Sequence, residues 1–224
     1  MDSTVMKLLA ALASTLFLFG CQIAGPLTAE PDPKTPWWSL EFAAPLYMTG
    51  WVKASVVEDV QGKLFNHGSA GVIGSGDYGN KREVAKGWPK GLAGSGIRTV
   101  EGANLPKRIY VRWQSVVEPQ TYHAWIDIPE QARTIMYEST HRLCPEAPQR
   151  KVSQIASLHL GLAPGGIIQV WVRDQCHEPI KVARGKAEIE PLGPHLGKSD
   201  GNYYPQPEAS KRYVDRFGIP YGSW

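Results

Sequence analysis

The sequence predicts a mainly β protein of antiparallel sheets in a sandwich-like arrangement, with one or two short helices. A β-rich α+β fold is the alternative. Three observations carry this expectation. Gly and Pro are frequent, 23 and 18 of 224 residues, which implies many turns between short strands. The segment 105–129 alternates apolar and polar residues about a proline turn. Ala163-Pro164-Gly165-Gly166 separates two further apolar runs, and Pro followed by Gly in the middle of a turn marks type II.

The N-terminus comes first in the chain. Met6-Lys7 opens an uncharged run, Leu8 to Gly20, that ends at Leu18-Phe19-Gly20-Cys21. A basic start, a short apolar stretch and a small residue at the end make a secretory signal. The run is too short for a bilayer core about 30 Å thick, which needs about 20 apolar residues in a helix. A Cys at the cut site is the bacterial lipoprotein pattern, in which the thiol is acylated and becomes the first mature residue. Residues 1–20 are therefore expected to be a signal peptide and Cys21 the lipidation site. The Pro-rich stretch 21–36 reads as a flexible tether, and 37–224 as a single β-rich periplasmic domain. Gln22 follows Cys21 where an Asp would favour the inner membrane. The expected location is the outer membrane, lipid-anchored on its periplasmic side.

Besides Cys21 the chain carries Cys144 and Cys176. Two thiols in an oxidising compartment are most simply paired, and closing their loop contributes about 3–4 kcal/mol in the chain-entropy model. No Cys-x-x-Cys occurs, and His177 is the only neighbour able to ligate, so no metal site is expected. The formal charge of +3 is mild and no long basic run occurs, which argues against nucleic acid as a partner.

The domain is expected to begin at Trp37-Trp38-Ser39-Leu40, with a β-branched strand over 51–60. Gly62 and Asn66-His67-Gly68-Ser69 break the chain before a short apolar piece, Gly71 to Gly76. Glycines then recur through 77–104. Neither Gly74-Ser75-Gly76 nor Gly94-Ser95-Gly96 runs into a Gly-Lys-Ser/Thr ending, so both read as bends rather than phosphate loops.

Folding 105–129 about Glu118-Pro119-Gln120-Thr121 pairs Val117 with Tyr122, Ser115 with Ala124, Trp113 with Ile126 and Val111 with Ile128. One face is then apolar. The other pairs Arg112 with Asp127, an exposed ion pair, Gln114 with Trp125 and Val116 with His123. A slip of one residue would mix the two sets. Asp127-Ile128-Pro129-Glu130 has capping-box spacing and opens a helix that buries Ala132, Ile135 and Met136. Strands over 155–162 and 167–173 flank the Pro-Gly turn, and 181–189 reads as one more.

From Gly193 onward Tyr203, Tyr204, Tyr213, Phe217, Tyr221 and Trp224 stand in a polar background. Pro207 to Phe217, with Gly218 beyond it, reads as a short helix. The segment 193–224 is expected to be an aromatic strap over the core. Tyr203, Tyr204, Tyr213 and Trp224 are the candidate binding residues should it be a contact surface.

Leu105-Pro106-Lys107-Arg108-Ile109-Tyr110-Val111-Arg112-Trp113-Gln114-Ser115-Val116-Val117-Glu118-Pro119-Gln120-Thr121-Tyr122, Asp127-Ile128-Pro129, and Gly161-Leu162-Ala163-Pro164-Gly165-Gly166 with Val170-Trp171 resemble a family of proteobacterial lipoproteins, the domain of unknown function 2931. The resemblance runs from about Trp38 to Lys186. It brings no catalytic residues. It implies a role as a periplasmic immunity protein, since some members lie beside secreted antibacterial effectors, including phospholipases of the type VI secretion system.

No Gly-x-Ser-x-Gly elbow and no His-Glu-x-x-His occurs, so no enzyme and no cofactor are expected. His123, His141, His159, His177 and His195 are evenly spaced, but their flanks do not repeat and carry no repeat architecture. Two functions remain. One is a tethered protein that captures a secreted effector. The other is a structural or ligand-binding envelope lipoprotein with no effector partner.

Overall fold

A computed structural model describes residues 37–74, 87, 88, 92 and 95–224. The signal segment, Cys21, the tether and most of the glycine-rich stretch within 75–94 lie outside the described residues. Among the described residues, thirteen strands and two helices follow in order. The strands are β1 (Trp37–Ala43), β2 (Gly50–Asp59), β3 (Leu64–Asn66), β4 (Gly71–Ile73), β5 (Ser95–Glu101), β6 (Pro106–Ser115) and β7 (Gln120–Asp127). Helix α1 (Glu130–Glu138), β8 (Leu143–Cys144), β9 (Ala147–Lys151), β10 (Ser157–Ala163), β11 (Ile167–Arg173), β12 (Ile180–Lys186), β13 (Glu188–Ile189) and α2 (Glu208–Phe217) complete the chain. None of the described helices is long and apolar enough to cross a membrane.

Two sheets carry the fold, as the β-rich pattern predicts. The first has five strands in the order β12-β11-β10-β1-β5; the second runs β13-β7-β6-β2-β3, with β4 also on β2. Strand alternation explains their shared core. In the first sheet Leu40, Phe42, Leu158, Leu160, Leu162, Ile168, Val170 and Val172 point inward. In the second, Val52, Val57, Ile109, Val111, Trp113, Tyr122 and Ile126 face them. Most pairings are antiparallel. The exception is β1 with β10, which run parallel with Glu41 opposite His159. That long-range pairing has no local sequence signature, because parallel neighbours need a distant crossover.

The β6–β7 hairpin keeps the predicted faces but not the predicted pairs. Trp113 lies opposite Tyr122, Ile109 opposite Ile126 and Arg112 opposite His123. The tip is the four-residue turn Val116–Pro119, because Val116 and Val117 are buried and the Val116 amide donates to the Thr49 carbonyl. The expected Arg112–Asp127 ion pair is therefore corrected. Asp127 stands opposite Arg108, and Arg108 reaches Glu58 at 2.6 Å instead. The slip is even in residue count, so each side chain stays on its own face.

Helix α1 buries Ala132 and Met136, with Ile135 against the same core. Its N-cap is Pro129 and no side chain caps it, so Asp127 and Glu130 do not form the expected capping box. The run 181–189 is divided in two. β12 pairs with β11 and β13 crosses to β7 in the other sheet. Gly165, at φ 77°, ψ 10°, takes the left-handed position of the expected Pro-Gly turn.

Trp113 is 1% exposed at the centre of the shared core and lies 5.3 Å from the Tyr122 ring. Trp113→Ala should lower unfolding free energy by about 3–5 kcal/mol, as for loss of a large buried aromatic. Urea denaturation checks it; a loss under about 1 kcal/mol would place Trp113 outside the core.

Candidate functional site

The C-terminal segment covers one end of the sandwich and part of the outer face of the second sheet. Tyr213 stacks on Tyr47 at 4.7 Å, in a second core with Met48, Val117, Ala163, Ala209 and Trp224. Tyr204 stacks on Trp51 at 3.8 Å, and its hydroxyl accepts from Lys53 Nζ at 2.9 Å. Its amide donates to Gln114 Oε1 at 3.3 Å. Of the four candidate binding residues, Tyr213 and Trp224 are buried and pack the second core, whereas Tyr203 and Tyr204 are half-buried. Polar atoms of the same sheet are buried as well. Gln114 Nε2, Thr121 Oγ1 and Arg112 Nε have no partner among the described residues.

Glu118 joins this end together. Its two oxygens accept from the Gly165 amide at 2.9 and 3.1 Å, and the Tyr221 hydroxyl donates to Oε2 at 2.6 Å. Tyr122 bonds the same carboxylate. Both phenols titrate above their usual range, first through desolvation and then through hydrogen bonding to Glu118 and its charge. The hairpin tip Val116–Pro119 and the Pro-Gly turn are thus two halves of one junction.

The outer face of the first sheet carries a polar cleft of about 340 Å³, lined among others by Ser39, Glu41, Thr99, Ser157, His159 and Arg173. Sheet register places them in two rows. Ser39 lies beside Thr99, and Ser157 beside Arg173; one step along, His159 sits between Glu41 and Trp171. Ser39 and Ser157 share a hydrogen bond of 2.5 Å across β1 and β10. Arg173 donates one N–H to the Leu92 carbonyl at 2.9 Å. Trp88 closes against Trp171 over Gly161, where any Cβ would come within 2.6 Å of the Trp88 ring. Glycine is needed there for the close approach.

His159 is the least ordinary group in the cleft. It is 1% exposed, and its Nδ1 has no hydrogen-bond partner among the described residues. Glu41 Oε2 lies 3.7 Å from that nitrogen, beyond hydrogen-bond reach. Burial, with the Arg173 charge second, pushes the imidazole down to about 4, so it is neutral at pH 7. A neutral ring beside a carboxylate and a guanidinium can recognise a group that both donates and accepts hydrogen bonds. Sequence reading missed this site. Its only local trace is one histidine inside the apolar run Leu158–Leu162; Glu41 and Arg173 join it through sheet pairing alone. The five evenly spaced histidines occupy unrelated places.

At the opposite end from Glu118, Cys144 and Cys176 form the expected disulfide, with Cα atoms 5.4 Å apart. Asp174 organises that corner. Its Oδ1 accepts from the amides of Cys176 at 3.0 Å and His177 at 2.8 Å, and its Oδ2 faces Arg142 at 3.4 Å.

Fold and site together define a two-sheet β sandwich with a polar cleft on one outer face and an aromatic strap on the other. The chain belongs to the family described as Protein of unknown function (DUF2931), whose model matches residues 26–222. No curated protein and no solved structure matches the chain.

The His159 environment sets a pH dependence. An imidazole that titrates near 4 when folded and near 6.5 when unfolded leaves the unfolded chain holding the extra proton between those values. Stability should therefore fall as pH drops from about 6.5 towards 4, by at most about 1.4 kcal/mol per pH unit for this group. His67 and His195, lowered first by burial and then by neighbouring cations, add the same sign. Urea titrations at several pH values should show a shallower slope in His159→Gln. An unchanged slope would mean that His159 titrates normally.

Proposed function

We propose that this chain is a lipid-anchored periplasmic binding protein, tethered through Cys21, that neutralises a secreted antibacterial effector by occlusion. Family membership and the N-terminal sequence support the setting, and the disulfide suits an oxidising compartment. The observation that carries a binding role is the cleft, where buried His159 holds Nδ1 unpaired among described residues, 3.7 Å from the Glu41 carboxylate. Buried polar groups are ordinarily satisfied, and a partner's side chain inserted there would supply the missing bond. Occlusion needs no chemistry, only complementarity at a few anchors. The outer face of the first sheet is the proposed contact surface, and the lipid holds it where an effector arrives.

Co-expression with a neighbouring gene whose product is toxic in the periplasm tests the reading. Wild type should restore growth. Thr99→Arg, which fills the exposed cleft rim, should lose protection, whereas Lys211→Glu on the exposed side of α2 should keep it. Equal killing with and without the wild-type protein, by a neighbour shown to be toxic, would overturn the effector reading. Full protection by Thr99→Arg would move the contact surface away from the cleft.

A further inference from the structure

The disulfide corner contains more ligand chemistry than a disulfide requires. Donor atoms of Asp174, Cys176 and His177 all lie within 4.8 Å of one another. Cys176 Sγ is 3.9 Å from His177 Nδ1, and that nitrogen is 2.9 and 2.8 Å from the two Asp174 oxygens. Cys144 lies outside that group, but its sulfur is one bond from Cys176 Sγ. A tetrahedral zinc ion with Zn–S of about 2.3 Å and Zn–N of about 2.0 Å holds its sulfur and nitrogen ligands about 3.5 Å apart. The Cys176–His177 pair is within a few tenths of an ångström of that spacing.

We propose that this corner is a clip with two chemical forms: a disulfide when oxidised, and a zinc site of Cys144, Cys176, His177 and Asp174 when reduced. A dithiol reductant supplies two electrons. The S–S bond breaks, both sulfurs become thiols and the reductant becomes a disulfide. Zinc then binds both sulfurs as thiolates and releases their two protons. Two soft sulfurs, an imidazole and a carboxylate suit zinc and complete four-fold coordination.

The loop that carries three of the four ligands is already held together. The Asp174 carboxylate is buried and fixed by the Cys176 and His177 amides, so loop folding and ligand placement are one event. His177 is 15% exposed at its side chain and already turned towards Asp174. Arg142 competes for Asp174 Oδ2, but its side chain is 37% exposed and can swing into water. Either form ties the stretch after α1 to the end of β11. The link between the two would therefore survive a change of redox state.

The full chain carrying Cys21→Ser, which removes the one other thiol, is prepared oxidised and after reduction by a metal-free phosphine. Each form is titrated with zinc, and with cobalt(II) as a spectroscopic probe. The reduced form should take one zinc per chain, show thiolate-to-cobalt charge transfer with tetrahedral ligand-field bands, and melt at higher temperature with zinc than without. The oxidised form should do none of these. His177→Ala leaves both sulfurs in place and should weaken zinc binding at least tenfold in the reduced form.

Equal zinc affinity in the oxidised and reduced forms would overturn the proposal. So would equal affinity in reduced wild type and reduced His177→Ala, since two thiols in an unfolded chain would then explain the binding. A reduced chain that binds no zinc, or unfolds and is not restored by it, overturns it as well.

Discussion

The Glu118 carboxylate, at the tip of the β6–β7 hairpin, is the constraint on which the rest of this end depends. One side chain receives the Gly165 amide from the turn of the other sheet and the Tyr221 hydroxyl from the C-terminus. Hydrogen bonds to a charged group contribute about 1.5–3 kcal/mol, roughly twice a neutral one. The larger effect is geometric. With the tip fixed, Val117 enters the second core beside Ala163 and Tyr213, and α2 has a surface to dock on. The close approach also explains Gly166, where an added Cβ would stand 3.0 Å from the Tyr122 ring. The hairpin tip and the Pro-Gly turn, far apart in sequence, thus answer to one interaction.

What could be read from the sequence follows from how local each signal is. Alternation gave both faces of β6 and β7, because period two is a property of the strand itself. The pairs were misplaced, because the turn is chosen by what Val116, Val117 and Glu118 touch outside the hairpin. The disulfide was legible from the count of cysteines and the compartment that the N-terminal sequence leads one to expect. The cleft was not. Glu41 and His159 become neighbours only when β1 enters parallel to β10, and no pattern in either strand announces that. The strap was legible as an aromatic segment; which of its rings would be buried was decided by Tyr47, in the turn before β2, and Trp51, on β2.

The two outer faces differ in a way that bears on function. Part of the second sheet is covered by the chain's own tail, so Trp51, Lys53 and Gln114 are engaged from within while Trp125 stays exposed. The first sheet presents a cleft with a neutral buried imidazole between a carboxylate and a guanidinium. A partner on that face would meet a sheet stiffened at both ends, by the Glu118 junction and by the Cys144–Cys176 clip. Rigidity of that kind lowers the ordering cost of association.

Amide hydrogen exchange on wild type and Glu118→Ala tests the junction most directly. If Glu118 couples the tip, the Pro-Gly turn and the tail, the variant should lose protection together at residues 163–167, at 116–122 and along 208–224. The disulfide end should remain as protected as in wild type. Loss confined to the Gly165 amide, with α2 and the C-terminus unchanged, would contradict the account and reduce Glu118 to a local hydrogen bond.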